Sequence, residues 1–530
     1  MGALNDISQA SSLEASIAVG GKINHRLAHR NDKDNKKNIR HCRRIPHPLL
    51  PPRYDRLSPL KAEKLLCFSR HSRHCLSSHL RHSTDIAMSA HSRITARLAH
   101  LIVTTEPDST VIDLAREGVM DFLACALPVW QGAVADSGLA PLKSVYPGND
   151  SQSRSLLLGY AGHALDFDDF HSGFRGHPST VILPALLALV GEHPTFTQTH
   201  FLTAYAIGVE TAGRLGLAAG PRHYSQGYHN TATLGAIAAA AASCRLMGAT
   251  PDQTANALGL AASQAAGLRA QFGSAMKPLH AGLAARAGLS AMQLALAGFH
   301  GNPDTVLEAF LAAHGDGQHH DDALTAHWGA PWRLVSPGLT FKRYPTCGGT
   351  HSAAEAAFIL REQWVTQDGH APDDLPDAIQ RITVRFPPGG DAAPFIRQAT
   401  TGVEGRFSLE YVIAAALLEG QLRLERFTEG PVDPRIAALA SKVSRQADLS
   451  APPDEQNPDA RFHDVSMQMN DGSCFHARVT WQQTTAVKTD VTAKLRQTLT
   501  LLPWLAADEV LSHSQLRTPD ALAELVRLLS

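Results

Sequence analysis

From Thr110 to about Leu311 the chain repeats apolar residues at spacings of three and four, in segments separated by Gly, Pro and Asn. VIDLAREGVMDFLACAL, STVILPALLALVGEH, TQTHFLTAYAIGVETAGRLG and TATLGAIAAAAASCRLMG each read as a helix. Ala and Gly dominate these segments over Leu, so the helices must pack closely, with little side-chain bulk between them. TPDQTANALGLAASQAAG opens as a capped helix, with Thr250 at the N-cap, Pro251 at N1 and Gln253 at N3. Near residue 375 the pattern changes. DAIQRITVRFPP alternates like a strand, and DVSMQMNDGSCFHARVTW reads as a hairpin turning at Asn470, Asp471 and Gly472. FSLEYVIAAALLEG and DPRIAALASKV read as helices, and the final ALAELVRLLS returns to helix. The predicted fold is mainly α, a large helical domain followed by a small α+β domain.

Charge separates the first part of the chain from the rest. The whole chain has a formal net charge of −1. Residues 1–87 hold 16 Lys and Arg against 7 Asp and Glu, which leaves 32 against 42 for residues 88–530. The N-terminal stretch is basic, His-rich and Pro-broken, and is expected to be disordered. Met88 opens SAHSRITARLAHLIV, where helical periodicity begins, so the folded protein is expected to span residues 88–530. A body with an acidic surplus is a poor nucleic-acid binder, because phosphate contacts need clustered cations. The seven cysteines include no C-x-x-C pair, which fits a reducing, cytoplasmic setting and argues against a disulfide framework or a zinc knuckle. The longest apolar run, Ala232 to Cys244, is shorter than the roughly 20 residues needed to span a bilayer.

Three polar islands interrupt the apolar helices: HALDFDDFHSGFRGHPS at 163–179, GYHNTATLG at 227–235 and MKPLHAG at 276–282. Buried charge is costly unless it is paired or used, so three such islands predict one polar cavity lined by Asp166, His177, His229 and Lys277. His177 and Lys277 each precede a proline, which places them at helix N-termini, where N–H groups and the dipole favour anions. A lysine there calls for a joining anion, which a substrate carboxylate would supply. A histidine there is kept neutral, as a base needs. The plain alternatives are a capping His177 and a Lys277 that snorkels to solvent. On a helix His163, Asp166 and Asp169 would share one face, and Asp166 would orient a histidine. Asp168 and Asp169 read equally well as a solvated acidic turn. The acidic cluster has no second ligand set, so no metal is expected. His280 lies three residues after Lys277. Cys347, in KRYPTCGGTH, reads as a cavity-wall residue, and Arg269, Lys342 and Arg343 are spare cations, Arg343 reading as solvated surface.

At these residues the chain resembles the MmgE/PrpD family, which includes 2-methylcitrate dehydratase, cis-aconitate decarboxylase and iminodisuccinate epimerase. HALDFDDFHSGFRGHPS, GYHNTATLG, AMKPLHAG, KRYPTCGGTH and RFSLEYVIAAALLEG carry the resemblance, in family order. It implies an all-helical domain over 88–354, an α+β lid domain over 355–480 and a segment over 481–530 that returns to the helical domain. It also implies a homodimer and a metal-free, cofactor-free site between the domains for di- or tricarboxylates. The family's pocket falls on Asp166, His177, His229, Lys277, Cys347 and Tyr411; apart from the resemblance, Phe170, Arg269, His280 and Lys342 are expected as further substrate contacts. The decarboxylase pattern has threonine where this chain has Phe170 and histidine where it has Cys347, and the segment from Asp166 to His177 is one residue longer here. The expected activity is therefore a hydro-lyase like 2-methylcitrate dehydratase. Epimerisation of a dicarboxylate, decarboxylation and mere carboxylate binding are the alternatives.

Overall fold

The computed structural model describes residues 94–148, 150–367 and 370–530. The expectations for residues 1–87, and for a start at Met88, lie outside them. The principal helices of the first region are α1 (Ile94–Thr104), α2 (Ser109–Trp130), α3 (Ser151–His163), α4 (Ser179–Glu192), α5 (Gln198–Ser225), α6 (Asn230–Met247), α7 (Pro251–Ala262) and α8 (Met276–Leu296). Their starts are set locally. The Asp108 carboxylate accepts from Val111 N, the Asp150 carboxylate accepts from Ser153 N, and Thr250 and Gln253 form a reciprocal capping box. Glycines bring the helix backbones together. A Cβ added at Gly159 of α3 would stand 2.7 Å from Gly282 Cα of α8, and one added at Gly288 would stand 2.6 Å from Ala240 N of α6. The α3–α8 contact matters for the site, because it brings the end of α3 beside the start of α8.

The second region adds α9 (His351–Val365), α10 (Leu409–Glu419) and four strands, β1 (Ile379–Phe386), β2 (Val443–Ala447), β3 (Phe462–Met469) and β4 (Cys474–Thr480). The sheet order is β2-β1-β3-β4, with β1 parallel to β2 and the other pairs antiparallel. β3 and β4 form the expected hairpin, with Gly472 at φ 86° in the turn. One element differs from the sequence reading. DPRIAALASKV is helical only over Pro434–Ala440, and Val443 already pairs with Ile382 in β2. No local signal marks that change; the open edge of β1 recruits the segment.

Two large apolar clusters result among the described residues, with two smaller ones beside them. One joins α1 to α8 through residues such as Leu98, Phe122, Phe201, Tyr205 and Ile237. The other gathers Leu360, Ile382, Val412, Phe427 and Val465 between the sheet and its helices. Beyond the sheet, α11 (Val491–Leu499), α12 (Ala507–Ser514) and α13 (Ala521–Leu528) place Leu495, Leu511 and Leu525 in the first cluster. No helix among the described residues is long and apolar enough to cross a membrane.

Candidate active site

The first polar island does not continue α3. The helix ends at His163, and Asp166 turns the chain with φ 50°. His163, Asp166 and Asp169 therefore do not share a helix face as the spacing suggested; each carboxylate points to a different partner. Asp166 Oδ1 accepts from Lys277 Nζ at 2.8 Å and from Lys342 Nζ at 2.7 Å, and the Asp166 carbonyl also accepts from Lys342 at 2.8 Å. The anion that joins Lys277 is thus the protein's own carboxylate. Asp168, not Asp166, faces the histidines: its Oδ2 is 2.7 Å from His163 Nδ1 and 3.2 Å from His177 Nδ1. Lys277 Nζ donates to His163 Nε2 at 2.9 Å, so His163 carries its proton on Nδ1 and gives it to Asp168. Asp169 is fully buried on Ser179, which also bonds Tyr205, so these carboxylates are no solvated turn.

Helix starts position the other groups. His177 lies just before α4, its N–H donating to Thr231 Oγ1 at 3.1 Å. His229 caps α6, and its Nδ1 lies 3.2 Å from His280 Nδ1. Lys277 sits inside the first turn of α8, two positions deeper than the cap at which the residue before a proline was expected. The first turn tolerates Pro278, whose missing N–H needs no partner there.

Electrostatics assign the protonation states. Burial alone would raise the Asp166 carboxyl, but Lys277 and then Lys342 override it and hold it ionised, below the ordinary range. Burial lowers Lys277, whereas the carboxylates of Asp166 and Asp168 hold Lys342 above the ordinary range despite burial. Burial lowers His177 although Asp168 opposes it. Burial, with Lys277 and His163 adding to it, puts His229 well below the ordinary range. His163 is lowered to about 3 and His280 to about 4, both by burial first. The cavity thus presents neutral imidazoles beside two ammonium groups that share one carboxylate. Burial raises the Cys347 thiol, which keeps it un-ionised, and His351 turns its Nε2 to the Thr346 carbonyl at 3.3 Å. That pair is no nucleophile and base.

Asp166, Phe170, His177, His229, Lys277, Lys342 and Cys347 line one cavity. His280 stands behind His229. Arg269 is off the lining and stacks on Tyr224, 4.1 Å from the ring centroid. Tyr411 is not brought to the cavity; it is buried, and its hydroxyl donates to the Arg426 carbonyl at 3.1 Å. Its helical segment was legible, but the direction of its side chain was not. Arg343 pairs with Glu355 at 2.6 Å. Sequence reasoning missed Arg175, Tyr224, Phe272, Asp454, Arg461 and Trp481 on the lining, and it named His163 and Asp168, which stand behind it, without giving them a part in the site. Arg175 lies within the first island and was legible there; Asp454 and Arg461 belong to an irregular stretch without a motif. Four lining cations, Arg175, Lys277, Lys342 and Arg461, outnumber the carboxylates Asp166 and Asp454 by two. His163, Asp168 and His177 also offer ligand atoms within 4.8 Å of one another, a grouping that could hold a metal ion. Lys277 donating to His163 sets an ammonium against a cation there. Chemically, the cavity can bind an anion of two or more charges and take a proton from it.

Known proteins match this chain along both regions. The model of the MmgE/PrpD N-terminal domain matches residues 94–319, and that of the MmgE/PrpD C-terminal domain matches residues 344–500. The chain is 31% identical over 334 residues to cis-aconitate decarboxylase of Homo sapiens, covering 61% of this chain and 66% of that enzyme. It is 31% identical over 375 residues to a cis-aconitate decarboxylase-like protein of Aspergillus oryzae, covering 64% of this chain and 76% of the relative. With cis-aconitate decarboxylase of Aspergillus terreus it shares 26% over 430 residues, or 72% and 84% of the two chains. The match thus spans just under two thirds of the human enzyme's length. Both domain models match in order, over more than half of the sequence, and the chain belongs to the MmgE/PrpD family.

Proposed function

We propose that this protein is a lyase that needs no cofactor and removes water from a citrate-like di- or tricarboxylate. The observation that carries the reading is the pairing of neutral, buried imidazoles with Lys277 and Lys342 in one cavity. Water elimination begins with proton removal from a carbon next to a carboxylate, and that step needs a neutral base. His177 takes this role. Its Nδ1 faces Asp168, which stabilises the imidazolium as it forms, and the opposite ring nitrogen is left for substrate. Lys277 and Lys342 hold the carboxylate that gains enolate charge, where fixed cations lower the barrier most. Hydroxide leaves from the neighbouring carbon and takes up the proton that His177 removed, with His229 hydrogen-bonded to the departing oxygen. Atoms balance as one water lost per carbon–carbon double bond formed.

The relatives' names favour a second reading, decarboxylation of cis-aconitate. That reaction needs an acid ready to protonate the carbanion, and neutral histidines supply none; a lysine would have to. Phe170 and Cys347 also depart from the decarboxylase pattern. The test follows citrate, 2-methylcitrate and cis-aconitate by proton NMR in D₂O with the full chain. Unsaturated product from a hydroxy acid supports dehydration. Loss of carbon dioxide from cis-aconitate with no dehydration moves the assignment to decarboxylase. Deuterium exchange without a new product moves it to an isomerase.

A further inference from the structure

The segment from Phe170 to Gly176 is held more firmly than an ordinary loop. Phe170 and Thr340 exchange two backbone hydrogen bonds of 2.8 Å, and His171 N donates to the Gly176 carbonyl at 3.0 Å. His171 Nδ1 accepts from Phe174 N at 3.0 Å, and Phe174 is fully buried. Within this turn Arg175 N donates to the His171 carbonyl at 2.8 Å, and Arg175 sits at φ 52°, a left-handed conformation that non-glycine residues rarely hold. The guanidinium so presented lines the cavity. It donates no side-chain hydrogen bond among the described residues: its ion-pair contact is Asp454 at 3.6 Å, and it lies 5.0 Å from the Tyr224 ring centroid. Asp454 is already taken by Arg461, which binds it through two parallel bonds of 2.6 Å. Arg175 is thus a cation in excess, on the same cavity as Lys277 and Lys342 but held by a separate set of residues.

We infer that Arg175, backed by the Arg461–Asp454 pair, is a specificity-determining subsite for a carboxylate of the substrate other than the one at Lys277 and Lys342. A planar guanidinium matches a carboxylate with two hydrogen bonds, and burial strengthens them. The subsite selects polycarboxylates over monocarboxylates and takes no part in proton transfer. This rests on the carboxylate-lyase reading above and adds the residue that sets substrate class.

Binding tests it without turnover. Titration calorimetry with the full chain compares propane-1,2,3-tricarboxylate, glutarate and butyrate as unreactive probes. Arg175→Gly removes the cation and also relieves the positive φ, so the variant keeps its fold; Arg175→Lys keeps the charge and loses the planar fork. Arg175→Gly is expected to weaken tricarboxylate binding roughly 10- to 100-fold, the worth of a charge-assisted pair, with butyrate binding unchanged and Arg175→Lys intermediate. Unchanged tricarboxylate affinity in Arg175→Gly, or an equal loss for all three probes, overturns the subsite. A wild-type protein that binds in the expected pattern yet converts no polycarboxylate leaves the subsite standing and overturns the lyase reading instead.

Discussion

At the residue scale, the carboxylates of the first island divide their work in a way the sequence did not predict. Asp166 joins the two lysines, and Asp168 joins the two histidines. This division predicts different kinetic failures. His177→Asn keeps size and polarity but cannot act as a base near neutral pH, so kcat should fall roughly 10²- to 10⁴-fold with little change in KM. Near wild-type kcat would move the proton to His229. Lys277→Ala removes a cation used by both ground and transition states. It also leaves His163 Nε2 without its donor, so KM should rise and kcat fall together. A change in KM alone would mean that no charge builds up at Lys277 during the reaction. His177 and Lys277 were legible as site candidates because each ionisable group beside a proline interrupts an apolar helix. The partner of each was not legible, because a three-residue spacing predicts neighbours only if the helix continues, and it stops at His163.

At the scale of elements, the site depends on contacts made behind it. Lys494 of α11 donates to Asp121 of α2 at 2.6 Å and to the Phe167 carbonyl at 2.6 Å, tying the loop that carries Asp166 and Asp168. Lys494→Met keeps the bulk but strands a buried carboxylate, a change that typically costs about 3–5 kcal/mol. The variant should melt earlier and lose kcat, and adding Asp121→Asn should restore melting temperature more than kcat. Full recovery of both would mean that the Lys494 bond to Phe167 does not position the loop. The α3–α8 contact gives a second test. A side chain at Gly282 meets the backbone of Leu156, so Gly282→Val should cost roughly 1–3 kcal/mol by overpacking. It should also lower kcat, since it pushes Lys277 away from Asp166. Unaltered melting temperature and kcat would show that α8 can shift without disturbing the site.

For the whole molecule, burial of histidines in neutral form couples stability to pH. His163, His351 and His463 are lowered from 6.5 to about 3 and His171 from 6.5 to about 4, in each case by burial first. Near pH 5 the unfolded chain binds protons at these four positions and the folded chain does not. Stability should therefore fall as pH drops from about 6.5 towards 4, each group contributing up to about 1.4 kcal/mol per pH unit. Asp166, held below its ordinary value, adds a loss in the same direction at still lower pH. Thermal melting between pH 7.5 and 4.5 should show a steep decline with more than four protons taken up on unfolding, because His223, His229 and His280 are lowered by burial as well. A flat profile would mean that these imidazoles are not buried neutral.

Local chemistry alone determined the helical body, the capping box at Thr250, the β3–β4 hairpin and the three polar islands. Periodicity, N-cap residues and turn dipeptides act within a few residues, so one sequence suffices to read them. The family was legible for a related reason: its motifs are short and ordered along the chain. Only the tertiary structure decided which carboxylate meets which base, that Tyr411 turns away, that Val443 joins the sheet, and that Arg175 and Arg461 share the cavity with Lys277. The pairing of Asp168 with His163 depends on where the helix stops, and most of those outcomes depend on contacts between segments tens to hundreds of residues apart. There, backbone approach at glycines and the cost of burying an unpaired charge choose the partner, and spacing along the chain carries no record of that choice.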